Sequence, residues 1–237
     1  MRQIRQLHPG DHFPPTSQAL DYPNGLLAVG GDLDTKRLLD AYRRGIFPWY
    51  DEPQPVLWWT PDPRSILLPE ELHISRSLRK TLRRDAFNLA LNTRFEQVMG
   101  EFAQLRGDGL GTWIGDDMLH AYSELHRLGY AQSIEVLDRD GRLVGGLYGV
   151  AMGRVFFGES MFSRVSDASK VAMVALVHIM RQGGYGLIDC QVETEHLNSL
   201  GAHNINRLDF ERRLAQTIGV EPASGAWHLP ASCGDLL

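Results

Sequence analysis

Three polar residues in apolar company suggest chemistry near the end of this 237-residue chain. Glu159 sits among Phe156, Phe157, Met161 and Phe162. A carboxylate in such surroundings is paired, protonated or awaiting a cationic ligand. Asp189 and Gln191 lie in the run Leu187-Ile-Asp-Cys-Gln-Val192. A strand's period of two puts Leu187, Asp189 and Gln191 on one face and Ile188, Cys190 and Val192 on the other. The rise of a strand spaces Asp189 and Gln191 roughly 6.5–7 Å apart, close enough to contact one substrate group. Structural networks also perturb carboxylates. The alternatives are therefore a solvated strand end for Asp189 and Gln191, and a structural ion pair for Glu159.

A second set of residues suits phosphates and rings. Residues 76–84 hold five cations and no acid, and Arg76, Arg79, Lys80, Arg83 and Arg84 fall on one stripe of a helix anchored by Leu78 and Leu82. A charge run is ordinarily a solvated face. On a chain of net charge −5, five unneutralised cations on one face point towards phosphate. Trp49, Trp58 and Trp59 crowd a Pro-rich stretch, and Trp113 stands in the glycine loop Gly109-Leu-Gly-Thr-Trp-Ile-Gly115. Each is either a packing staple or a stacking platform.

The elements that must carry these residues follow from pattern. Asp138-Arg-Asp-Gly141 is turn chemistry between two strand-like runs, which makes a hairpin. Residues 155–162 are rich in aromatic residues and read as a third strand. Residues 168–181 are apolar on almost every side, as in a helix packed on both faces, and Gly183-Gly184 stops it. A strand at 187–192 then completes a strand–helix–strand crossover with parallel strands. Amphipathic helices are expected after Asp34 or Thr35 as far as Gly45, over 94–107 and over 116–128, and a polar helix over 207–218. Nine prolines between Pro9 and Pro63 predict a loop-rich N-terminal unit with little regular structure. The fold class is α/β, with residues 1–62 as a small N-terminal domain and 63–237 as the main one.

The totals narrow the function. With 43% hydrophobic residues the chain can bury a real core. No run approaches a membrane span, and the start lacks the apolar segment of a signal peptide. Two cysteines make no disulfide framework, which points to a reducing cytoplasm. Histidine and cysteine spacing predicts no metal site.

An ordered set of strings resembles the bacterial leucyl/phenylalanyl-tRNA–protein transferases. They include Pro23-Asn-Gly-Leu-Leu27, Gly30-Gly-Asp-Leu33, Ala41-Tyr-Arg-Arg-Gly-Ile-Phe-Pro-Trp49 and Trp58-Trp-Thr-Pro-Asp-Pro-Arg64. Further on come His73-Ile-Ser-Arg-Ser77, Gly111-Thr-Trp-Ile114, Ser133-Ile-Glu-Val136, Gly145-Gly-Leu-Tyr-Gly149 and Phe157-Gly-Glu-Ser-Met-Phe-Ser-Arg164. Ala168-Ser-Lys170, Leu187-Ile-Asp-Cys-Gln191 and Ser199-Leu-Gly-Ala202 complete the set, which runs from about residue 22 to residue 210. Gln132, Asn198 and Asn206 depart from the usual pattern without removing a proposed site residue.

The resemblance implies a GCN5-related acetyltransferase-like main domain that moves leucine or phenylalanine, and less readily methionine, from aminoacyl-tRNA to an N-terminal Arg or Lys of a protein. The product is thereby marked for N-degron proteolysis. It implies a cytoplasmic monomer with no cofactor. Asp189 and Gln191 match the acceptor and relay for the amine, and Glu159 the holder of the cationic end. Leu147, Phe156, Met161, Met173, Leu176 and Ile188 match the amino-acid pocket. Trp49 and Trp113 match the adenosine stack, and Arg76, Arg79, Lys80, Arg83 and Arg84 the acceptor-stem phosphate surface. An activated ester needs neither ATP nor a covalent nucleophile, and the chain has no P-loop or nucleophile elbow. Two alternatives carry less. An acyl-CoA-dependent N-acetyltransferase would cradle pyrophosphate on a glycine-rich turn, whereas the turn here is Ser163-Arg-Val-Ser-Asp-Ala-Ser169. A non-catalytic tRNA-binding protein leaves Glu159, Asp189 and Gln191 without a task.

Overall fold

A computed structural model describes residues 4–51, 53–105 and 115–237, with only the backbone for 102–105. Trp113 and most of its glycine loop lie outside the described residues.

The N-terminal unit corrects the expectation of little regular structure. Strands β1 (Arg5–Leu7), β2 (Leu26–Gly30), β3 (Phe47–Pro48) and β4 (Leu57–Trp59) form a four-stranded sheet in the order β1-β2-β4-β3. The strands are too short to show a period in the sequence. Pro48 sits in the edge strand, where a missing N–H breaks no ladder. Trp58 is fully buried, with its indole N–H donated to the Gly30 carbonyl at 2.9 Å and its ring edge-on to Phe13. It is core, as packing alone would have it. Helix α1 (Thr35–Arg43) is capped by Asp34, whose carboxylate accepts the Arg37 N–H at 2.7 Å, a cap of about 1 kcal/mol.

The main sheet has seven strands in the order β11-β5-β10-β9-β8-β7-β6. They are β5 (Arg64–Leu67), β6 (Asn88–Leu91), β7 (Ala131–Leu137), β8 (Leu143–Met152), β9 (Val155–Ser163), β10 (Leu187–Gln191) and β11 (His203–Ile205). The hairpin β7–β8, the antiparallel β9 and the parallel β9–β10 pair follow the sequence pattern. Strand β5, unread in the sequence, lies antiparallel between β10 and β11. The helices are α2 (Arg76–Arg83), α3 (Phe95–Leu105), α4 (Asp116–Arg127), α5 (Ala168–Gly183), α6 (Glu195–Asn198) and α7 (Arg207–Thr217).

Helix α5 covers one face of the sheet and packs on β7, β8 and β9. It comes so close to β8 that a Cβ on Gly145 would lie 2.5 Å from the Ala168 Cβ. Leu147, Phe156 and Ile188 point to that side, with Met173 and Leu176 of α5. Tyr148, Phe157 and Phe162 point the other way, into a core shared with α1, α4 and α7. Among the described residues no helix is long and apolar enough to cross a membrane.

Candidate active site

Two β-bulges open the sheet where the polar residues lie. Strand β10 pairs with β9 only through Leu187–Asp189 against Val155–Phe157, while β9 runs on to Ser163 along β8. Tyr148 faces Ser160 and Gly149 faces Gly158, which leaves Glu159 as the extra residue. On β10, Asp189 faces Ile66 and Gln191 faces Ser65, which leaves Cys190 extra. Bulges re-aim side chains. Gly149 is required there, since a Cβ would fall 2.2 Å from the Phe157 carbonyl oxygen.

The strict alternation expected for β10 therefore ends at Asp189. Gln191 has φ +64°, a left-handed conformation uncommon for a residue with a side chain. Its N–H donates to Asp189 Oδ1 at 2.9 Å, and its Nε2 donates to Glu159 Oε1 at 3.1 Å. Gln191 thus reaches Glu159 by way of a bulge rather than a pleat. The carboxylate of Asp189 turns instead to Arg64 of β5. Arg64 donates from Nε to Oδ1 at 2.8 Å and from Nη2 to Oδ2 at 2.7 Å, with both side chains at 1% exposure or less.

Glu159 is held by the N-terminal unit as well as by the main sheet. Tyr42 of α1 donates to Oε1 at 2.7 Å and Tyr122 of α4 to Oε2 at 3.1 Å. The two tyrosine hydroxyls also bond to each other. Burial is the largest influence on the carboxyl and raises it from the ordinary 4.5 to about 7. The Tyr42 and Tyr122 hydrogen bonds oppose that rise, Asp189 adds to it and Arg64 reduces it. Burial, followed by the nearby Glu159 charge, pushes the phenols of Tyr42, Tyr122 and Tyr148 well above their usual range. All three stay protonated. Burial likewise pushes the Cys190 thiol up, which keeps it from being a nucleophile.

A cavity of about 440 Å³ occupies the opening between β9 and β10. All six residues expected for the amino-acid pocket line it: Leu147, Phe156, Met161, Met173, Leu176 and Ile188. Glu159, Asp189 and Gln191 line it too. The space thus joins an apolar wall on the α5 side to a carboxylate site supported from the opposite face. Such a cavity can seat an apolar side chain and present the atoms attached to it to a polar group.

Trp49 and the five cations expected to meet phosphates lie outside this lining. Trp49 is 43% exposed, with its ring centroid 6.0 Å from that of Trp59, whose indole N–H donates to the Trp49 carbonyl at 2.6 Å. Arg76, Arg79, Lys80, Arg83 and Arg84 are all exposed, and none forms an ion pair among the described residues. Leu78 and Leu82 anchor α2 from beneath. Thr81 on the same helix donates to Asp167 Oδ2 at 2.8 Å, which ties the stripe to the start of α5. Ser169 in that first turn lines the cavity.

Sequence reasoning did not single out Arg64, Tyr42 or Tyr122. A signal existed for Arg64. Arg64-Ser-Ile-Leu67 and Leu187-Ile-Asp189 each place one charge in an apolar strand, and such charges need each other.

Known proteins match this chain over nearly its whole length. The family model described as leucyl/phenylalanyl-tRNA protein transferase matches residues 66–215, and the model of that family's N-terminal domain matches residues 31–62. A leucyl/phenylalanyl-tRNA–protein transferase of Saccharophagus degradans is 51% identical over 238 residues, covering 97% of this chain and 98% of its own. One of Pseudomonas putida is 55% identical over 215 residues, covering 91% and 94%. Among solved structures, L-PGS from Bacillus licheniformis is similar at a TM-score of 0.40 and 12% identity, covering 73% of this chain and 57% of that one. A GCN5-related N-acetyltransferase from Kribbella flavida is similar at 0.35 and 13%, covering 70% and 59%. This chain belongs to the leucyl/phenylalanyl-tRNA protein transferase family.

Proposed function

We propose that the protein is an aminoacyltransferase that moves leucine or phenylalanine, and less readily methionine, from aminoacyl-tRNA to the α-amine of an N-terminal Arg or Lys. The observation that carries this reading is the cavity itself, apolar towards α5 and carboxylate-lined towards Tyr42 and Tyr122. The donor side chain occupies the apolar wall of Leu147, Phe156, Met161, Met173, Leu176 and Ile188. Met161 and Met173 are unbranched and adaptable, which suits several side chains in one pocket. The acceptor's cationic first residue pairs with Glu159, a charge-assisted contact.

The reaction forms a bond between the amine nitrogen and the ester carbonyl carbon and breaks the bond from that carbon to the ribose oxygen. One proton passes overall from nitrogen to oxygen, and none is consumed. An α-amine has an ordinary pKa near 8, so a modest fraction is neutral at pH 7. Gln191 donates through Nε2 to Glu159, which leaves its amide oxygen to receive the amine N–H. Asp189 acts on this relay by holding the Gln191 backbone N–H. Much of the acceleration then comes from holding two substrates together. Trp49 and Trp113 stack on the terminal adenosine, and the exposed cations of α2 take the acceptor-stem phosphates. The modified protein is thereby marked for proteolysis in the cytoplasm, and the enzyme works as a monomer.

The test is a single-turnover assay with leucyl- or phenylalanyl-tRNA and a peptide beginning with Arg, without coenzyme A. Transfer to that peptide and not to one with a neutral first residue is expected. Transfer only when acyl-CoA is supplied, or none at all, would overturn the reading.

A further inference from the structure

We infer that Arg64 is a positioning residue for the transfer step, aiming Gln191 through Asp189 from a slot built by the N-terminal sheet and the C-terminal helix α7. The inference rests on the acceptor reading above. Its chain of contacts is short. Arg64 forks onto both oxygens of Asp189, Asp189 Oδ1 accepts the N–H of left-handed Gln191, and the Gln191 amide bonds Glu159. Every link is a hydrogen bond of 3.1 Å or less.

The guanidinium lies over two aromatic rings. Its Cζ lies 4.7 Å from the Phe47 ring centroid and 4.6 Å from that of Phe210. Phe47 belongs to β3 of the N-terminal sheet and Phe210 to α7, so two distant parts of the chain hold the guanidinium. A lysine offers neither a fork nor a flat face.

Stability is a weak reason for this arrangement. A buried ion pair is often no more stabilising than a well-packed apolar pair of the same volume. Nη1 of Arg64 is moreover buried with no hydrogen-bond partner among the described residues, which adds a further cost. What the pair supplies is direction. A residue at φ +64° is held in a sparsely populated conformation only when its surroundings over-determine it, and the Asp189 carboxylate fixed by Arg64 is the group that does so.

The experiment compares wild type, Arg64→Lys and Phe47→Leu in single turnover, with charged tRNA prebound and an Arg-starting peptide varied at several pH values. The Arg64→Lys rate at saturating peptide should fall about 10- to 100-fold, as for a reacting group displaced by about an ångström. Its affinity for charged tRNA should hold, and so should its peptide KM at pH values above the acid limb, where Glu159 is ionised in both proteins. Phe47→Leu keeps the ion pair but takes away one of the two rings, and a smaller fall is expected.

The pH profile supplies a readout that a structural prop would not move. Glu159 is faced by Tyr42 from α1, Tyr122 from α4, Tyr148 from β8, Asp189 and Gln191 from β10, and the Arg64 charge from β5. Withdrawing the Arg64 charge from its fork should carry the acid limb of peptide kcat/KM to higher pH. A wild-type rate in Arg64→Lys would overturn the inference. So would a rate loss that tracks a fall in Tm and leaves the acid limb unmoved. If Arg64→Lys does not fold, Phe47→Leu decides, and an unchanged single-turnover rate there overturns the inference. Absence of transfer by the wild-type protein would overturn the acceptor reading, and this inference with it.

Discussion

A carboxyl group that titrates near neutrality acts in opposite senses as a ligand for cations and as part of the core. Glu159 is raised from 4.5 to about 7, so the folded protein holds its proton more tightly than the unfolded chain does. The stability that proton brings is complete below pH 4.5 and is lost as the pH rises through 7. Glu159→Gln keeps the shape and does not titrate. Its stability relative to wild type should therefore grow by about 3 kcal/mol between pH 4.5 and pH 8, as read by urea unfolding at both ends of that range. Binding runs the other way. Only the ionised carboxylate pairs with a cationic first residue, so the wild-type KM for Arg-starting peptides should fall as the pH rises through about 7. Glu159→Gln should show a raised KM that is flat in that window, with less discrimination against neutral N-termini. A wild-type KM in Glu159→Gln would remove Glu159 from acceptor binding. The apolar company of Glu159 and the isolated charge of Asp189 were legible in the sequence because each breaks a local pattern. Tyr42 was not, since its partner lies 117 residues away and an unremarkable tyrosine breaks no pattern; Arg64 does break one, but only matching its lone charge to that of Asp189, 125 residues on, would have found the pair.

Local pattern was most informative where an element is long. The hairpin, the strand at 155–163 and helix α5 follow from turn residues and apolar periodicity. Strands of two to five residues in the N-terminal sheet carry no such signal. Neither bulge was legible, because an extra residue in a strand shows only against its neighbour. The stripe of α2 was legible as a stripe, and the structure leaves all five cations exposed. That arrangement suits a phosphate surface, and its signature is electrostatic. Arg76→Ala with Arg83→Ala should weaken binding of charged tRNA and lower the slope of log affinity against log salt by about 1–2. Binding of a minimal aminoacyl-adenosine, which has no acceptor stem, should hardly change. Filter binding of both ligands across a salt series tests this. Equal losses for both would make the stripe a structural feature of α2.

At the scale of the whole molecule, the division into 1–62 and 63–237 meets a core that ignores it. One continuous apolar cluster takes Leu38, Tyr42, Phe47 and Trp58 from the first part and Tyr122, Phe157, Phe210 and Leu214 from the second. The site is divided in the same way, with Tyr42 on Glu159 and Phe47 on Arg64 contributed by the first part. Cutting between the parts would expose apolar faces on both, take the Tyr42 hydroxyl from Glu159 and remove the Phe47 side of the Arg64–Asp189 pair. Separate sheets therefore do not mean separate folding units here. Heat unfolding of the full chain should be a single transition with calorimetric and van't Hoff enthalpies in agreement. A 63–237 fragment should show a broadened melt or none, and no transfer even to a minimal substrate. Two resolved transitions in the full chain, or a sharply melting fragment, would make the N-terminal unit an independent domain. Tyr42 would then reach Glu159 across a docking surface rather than through a shared core.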